Sequence, residues 1–134
     1  MKDRLAQAAA EAQANAYAPC SGYKVGAALQ AEDGRIFIGV NVENASYGLT
    51  NCAERVALGA AVTSGARRFD RLVVVSDASP PSAPCGACRQ VLAEMSTDMV
   101  IEAVGPSGSR SWKLTDLIPD PFGAEDLAPW DGAG

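Results

Sequence analysis

Apolar and polar residues alternate along this chain with changing rhythm. Lys2 to Tyr17 is rich in Ala and Gln with scattered charges and no breaker, which predicts a helix ended by Pro19. Lys24 to Ala31 and Arg35 to Val40 read as paired strands, with Asp33-Gly34 between them as a hairpin signal. Asn41 to Asn51 is polar, Asn-rich and irregular, and Cys52 to Ser64 then reads as a helix closed by Gly65. Beyond Arg55 that helix has almost no polar face, which predicts burial all round, either within one subunit or partly by others; both stay open.

Leu72-Val73-Val74-Val75 makes Arg71 to Ser76 a continuous apolar run, as expected of an internal strand buried on both faces. A Ser/Pro loop from Asp77 to Pro84 follows. Cys85 to Met95 fits a helix, Val100 to Val104 and Ser109 to Lys113 fit strands around a Pro106-Ser107-Gly108 turn, and Leu114 to Ile118 fits a short helix before Pro119. With no repeat and no linker, residues 1–134 read as one domain. The fold class is α/β, a three-layer α/β/α sandwich on a mixed, about five-stranded sheet.

Composition narrows the function. The chain of 134 residues carries a formal net charge of −5, no histidine and no Lys/Arg run, which argues against a polynucleotide partner. The densest basic cluster, Arg67-Arg68 with Arg71, reads as the solvated end of a helix. No segment is long and apolar enough to cross a bilayer, and the N-terminus lacks the apolar run of a signal peptide. Its four cysteines therefore point to reduced thiols or a metal in the cytoplasm, with no membrane partner.

Three of those cysteines carry the chemistry. Cys85 and Cys88, in Pro84-Cys85-Gly86-Ala87-Cys88, are spaced to turn both sulfurs to one point at the start of a helix. Cys52 and Glu54 are two apart and would splay on a regular helix, so they converge only beyond its end. The expected site is one Zn²⁺ held by Cys52, Cys85 and Cys88 between two helix N-termini, with a fourth position for water. Helix ends offset the excess negative charge of three thiolates, and Arg55 is the expected donor to them. Zinc acidifies its water, and Glu54 is the carboxylate placed to move protons during attack on an amine-bearing ring carbon. A capping box, with Asn51 as N-cap and Glu54 three residues on, is the competing account of Glu54. A closed structural site with Cys20 as fourth ligand is the competing account of the cysteines; otherwise Cys20 reads as a small buried residue.

Cys52-Ala53-Glu54-Arg55, with Pro84-Cys85-Gly86-Ala87-Cys88-Arg89-Gln90 beginning 30 residues after the glutamate, is the all-cysteine form of a zinc deaminase signature. Together with Val25-Gly26-Ala27-Ala28-Leu29, Asn41-Val42-Glu43-Asn44-Ala45 and Phe122-Gly123, it makes the chain from about Tyr17 to Leu127 resemble the small homotetrameric cytidine deaminases. The resemblance implies hydrolytic deamination of cytidine and 2′-deoxycytidine in pyrimidine salvage. It implies that Asn41 and Glu43 bind the ribose, that the Ala53 backbone lies near the pyrimidine 2-oxo group, and that Phe122 enters a neighbouring subunit's site. Tyr23 stands where the family commonly has phenylalanine, which implies that it lines the base pocket, and Cys20 stands where tyrosine is common. Asn44 is better explained by turn geometry. A deaminase of another aminopyrimidine, such as blasticidin S, and a non-catalytic zinc module are the alternatives. Trp130 is assigned no role.

Overall fold

The computed structural model describes residues 3–127. Its elements are α1 (Arg4–Gln13), β1 (Gly26–Ala31), β2 (Ile36–Val40), α2 (Ala53–Thr63), β3 (Phe69–Val75), α3 (Gly86–Met95), β4 (Val100–Gly105), β5 (Gly108–Lys113) and α4 (Leu114–Leu117). Short 3-10 turns cover Tyr47–Leu49 and Ala124–Leu127. The five strands lie in the order β2-β1-β3-β4-β5. Only β3 and β4 run parallel; the other neighbours are antiparallel, so the sheet is mixed as expected.

The apolar run of β3 explains the layering. Side chains alternate across a strand, and here Leu72 and Val74 enter the core shared with α2 and α3, while Val73 and Val75 meet Leu5 and Ala9 of α1. β1 divides likewise, with Ala27 and Leu29 on one side and Ala28 on the other. Helices thus cover both faces of an internal pair.

α1 is shorter than the Lys2–Tyr17 expectation. Asp3 caps it by accepting from the Leu5 N–H at 3.0 Å, and the chain leaves the helix at Ala14. The last residues of the expected helix are drawn into a different pairing: the Tyr17 N–H donates to Asn41 O and Tyr17 O accepts from the Glu43 N–H, each at 2.9 Å. Arg71 is no helix end either. It sits on β3, paired with Glu102 at 3.0 Å and with Asp3, and ties the start of α1 to the sheet.

α2 runs over β1 and β2 and ends in the expected glycine. Gly65 has φ +95°, its N–H donates to Val62 O, and the Ala66 N–H donates to Ala61 O, a Schellman closure. At Gly39 of β2 the helix comes so close that an added Cβ would lie on Ala57 N and 2.5 Å from Ala53 O. The opposite face of α2 is not covered within the chain: Gly59, Ala60 and Thr63 are exposed. Burial on all sides therefore does not occur in one subunit. Among the described residues, no helix is long and apolar enough to cross a membrane. Trp130 lies outside the described residues.

Candidate metal centre and active site

Cys52 is the N-cap of α2 and Cys85 is the N-cap of α3. Both hold extended backbone angles, and neither side chain makes a capping hydrogen bond, so both thiols remain free to face elsewhere. Cys88 follows in the first turn of α3 and is fully buried. The three sulfurs lie within 4.8 Å of one another. The offset between Cys52 and Glu54 is thus resolved as expected: Cys52 stands outside the helix and Glu54 inside its first turn. It also removes the capping-box account, because the N-cap is Cys52 and not Asn51.

The donor chemistry fits zinc. Three soft thiols converge at two positive helix ends, where thiolates are stabilised by unpaired backbone N–H groups. The Cys52 thiol is pulled down to about 5, first by a hydrogen bond from Cys88 and then by Arg55. Cys88 is pushed up by the same contact and by burial. The Arg55 guanidinium donates to Cys52 Sγ at 3.6 Å and to Thr50 O at 3.4 Å, while its Nε is buried without a partner. Cys20 does not join the cluster. It is exposed, against the expectation of a buried residue, and its thiol donates to Asn44 O at 3.7 Å. Among the described residues the set therefore has three cysteines and no fourth protein thiol, which suits an open site.

Glu54 is 6% exposed, and burial raises its carboxyl above the ordinary carboxylate range. A cavity of about 410 Å³ opens beside it, reached by Cys52, Ala53, Cys85, Tyr23, Asn41 and Glu43. Six of the expected site residues thus meet in one space with Glu54. Ala53 is fully buried at the start of α2 and fixes that wall.

The polar residues of the cavity are partly committed to the scaffold. Asn41 Oδ1 accepts from the Val25 N–H at 2.9 Å, and Asn41 Nδ2 donates to Tyr23 O at 2.8 Å. Its amide therefore fixes the chain between Tyr23 and Val25, and one Nδ2 hydrogen is left for a ligand. Glu43 Oε1 accepts from the N–H groups of Cys20 at 2.9 Å and Ser21 at 3.0 Å, and Oε2 accepts from the Ser21 hydroxyl. These bonds, the Ser21 hydroxyl foremost, hold its carboxyl below the usual range. Asn44 makes the expected turn, with Oδ1 accepting from the Ser46 N–H at 2.9 Å.

Phe122 lies apart from the cavity lining. It is 58% exposed, with its carbonyl held by Gln90 Nε2 at 2.7 Å. Ser76 is a lining residue the sequence did not single out. It is 7% exposed at the end of β3 and bonded to the Tyr23 hydroxyl. No motif marks a serine at the end of an apolar strand, and the only signal was a polar residue closing the run Leu72 to Val75.

Comparison with known proteins agrees with a zinc centre. The model of the cytidine and deoxycytidylate deaminase zinc-binding region matches residues 1–104. A cytidine deaminase of Sporosarcina psychrophila is 44% identical over 128 residues, covering 94% of each chain. One from Mycobacterium tuberculosis is 43% identical over 120 residues, covering 89% of this chain and 87% of its own. The crystal structure of cytidine deaminase from Burkholderia pseudomallei superposes with a TM-score of 0.86 at 46% identity, covering 91% of this chain and all of that one.

Proposed function

Since the chain belongs to the cytidine and deoxycytidylate deaminase family, we propose that it hydrolyses cytidine and 2′-deoxycytidine to uridine and 2′-deoxyuridine with release of ammonia. It is a zinc-dependent enzyme. The observation that carries the reading is a buried carboxyl, Glu54, beside three converging thiols at the wall of a nucleoside-sized cavity.

Cys52, Cys85 and Cys88 would hold the metal, and Arg55 donates toward Cys52 and offsets the charge of the thiolates. Zinc, when bound, supplies Lewis acidity that makes water a nucleophile near neutral pH. Glu54 receives the proton of the attacking water. It passes this to the ring N3, then takes the second proton from the hydroxyl added at C4 and passes it to the 4-amino group, which departs as ammonia while C4 becomes a carbonyl. Its burial suits both roles, because a carboxyl raised from its usual range can exist with and without the proton during turnover. Asn41 and Glu43 bind the ribose, the Ala53 backbone meets the 2-oxo group, and Tyr23 lines the base pocket.

The uncovered face of α2, with Gly59 and Ala60 exposed, and the shallow groove of Ile38, Val40 and Val56 beside it support assembly into a homotetramer. In that assembly Phe122 reaches a neighbouring site, as its 58% exposure allows. The acidic balance and the absence of a basic run support a free nucleoside over a nucleic-acid partner; the role proposed is pyrimidine salvage in the cytoplasm.

The test is incubation of the purified protein with cytidine, deoxycytidine, cytosine, adenosine and blasticidin S, with and without a chelator. Deamination of the first two, lost on chelation and restored by zinc, is the expected outcome. Turnover of blasticidin S alone, or full activity after metal removal, overturns the reading.

A further inference from the structure

The Tyr23 hydroxyl and the Ser76 hydroxyl lie 2.9 Å apart, and both residues line the cavity beside Glu54. Ser76 Oγ also accepts from the Ala78 N–H at 3.3 Å. A serine hydroxyl has one hydrogen to donate and two lone pairs to accept with. With Tyr23 and Ala78 both donating to it, its accepting capacity is used and its own O–H hydrogen has no acceptor among the described residues. Ser76 is 7% exposed, and Val25, Val74, Ala53 and Ala83 surround the same space with apolar groups. A donor left over in such a place has one outlet, the cavity, and an acceptor there is bound more strongly than in water.

We propose that Ser76 Oγ donates a hydrogen bond to an oxygen of the bound pyrimidine nucleoside, and that Tyr23 is the positioning residue that holds Ser76 in its donating orientation. The proposal rests on the nucleoside-deaminase reading and adds a specificity-determining residue to it. The bonded oxygen belongs to the ring carbonyl or the sugar, neither of which changes in the reaction. The bond is therefore present in ground and transition states alike, and its loss raises KM while kcat stays unchanged.

The experiment is a double-mutant cycle of Ser76→Ala and Tyr23→Phe, read as kcat and KM for cytidine, with zinc content and Tm measured for each variant. One neutral hydrogen bond corresponds to a KM rise of about three- to tenfold for Ser76→Ala. Ser76→Cys, which keeps the volume and weakens the donor, gives a similar rise. Tyr23→Phe raises KM about two- to threefold in the wild-type background and has no further effect beside Ser76→Ala, because it acts only through Ser76. Competition by uracil and by uridine locates the acceptor: a loss seen with both puts it on the ring, and a loss seen with uridine alone puts it on the sugar. An unchanged KM in Ser76→Ala and Ser76→Cys overturns the proposal, as does a Tyr23→Phe effect of equal size in both backgrounds. A fall in Tm with unchanged KM reduces the pair to a structural tie and also overturns it. A wild-type protein that does not deaminate cytidine refutes the functional reading instead, so the two failures are distinct.

Discussion

Replacing Glu54 by Gln isolates proton transfer from everything else in the site. The side chain is 6% exposed, so the substitution must keep its volume, and Gln does so while removing the ionisable oxygen. Stability should hold. Burial already disfavours the charged carboxylate, and a neutral amide removes that penalty without opening a void. Zinc should stay, because the three thiols are untouched and one negative charge beside them is lost.

Turnover should collapse. A positioned acid–base group contributes about 10²–10⁴ in rate. Glu54 is asked to carry two protons in turn, one to N3 and one to the leaving amine, so the upper end applies. We expect kcat to fall by about 10³–10⁴, or about 4–5.5 kcal/mol in the barrier. The assay is loss of cytidine absorbance, with zinc measured by elemental analysis and folding by thermal melt. A zinc-loaded, folded variant within tenfold of wild-type kcat would refute the assignment of Glu54.

Three further outcomes follow from the geometry. Arg55→Ala removes the guanidinium 3.6 Å from Cys52 Sγ and should weaken zinc binding about tenfold or more in a competitive chelator titration, whereas unchanged affinity defeats that role. Asp3→Asn keeps the cap on Leu5 N but loses the charge partner of Arg71; both side chains are about one-third exposed, so the cost is about 0.5 kcal/mol at pH 7. Because the hydrogen bond from Arg71 holds the Asp3 pKa below its unfolded value, this stability is present above about pH 3.9 and fades as pH falls through the folded pKa, so wild-type and variant urea midpoints should converge in acid. Gly39→Ala would press a methyl onto Ala57 N and Ala53 O and should cost about 1–3 kcal/mol in denaturant unfolding, with a loss of zinc affinity because Ala53 adjoins Cys52; a wild-type midpoint would contradict the close approach.

Elements were legible where a local pattern determined them. The period-2 division of Val73 and Val75 from Leu72 and Val74 fixes β3 as internal, and Gly65 fixes the end of α2. The thiol cluster was legible because its spacing has a geometric meaning at a helix start. Long-range polar contacts were not. Tyr23 and Ser76 are 53 positions apart, and nothing in either neighbourhood announces the other. α1 stops short of its expected end for the same reason: Ala- and Gln-rich sequence favours helix through Tyr17, but two hydrogen bonds to the Asn41–Glu43 segment outweigh that weak preference. Cys20 is exposed rather than buried because its backbone is claimed by Glu43, which leaves the side chain outside.

The order Cys-x-Glu becomes intelligible once the N-cap is located. Helical side chains tilt toward the N-terminus, so Glu54, in the first turn of α2, points back toward the helix mouth. Cys52, one step outside the helix, escapes the helical angle that would separate them. Moving both residues one position further into α2 would place Cys52 inside the first turn and turn the two side chains apart. It would also move the thiolate away from the unpaired N–H groups that offset its charge. Cys85 repeats the arrangement on α3, where Pro84 precedes the N-cap and Cys88 completes the set from inside the turn. Two helix ends therefore do what histidine, absent from this chain, does in other zinc sites. They limit the negative charge at the metal, and with it the cost of placing a carboxyl such as Glu54 beside three thiolates.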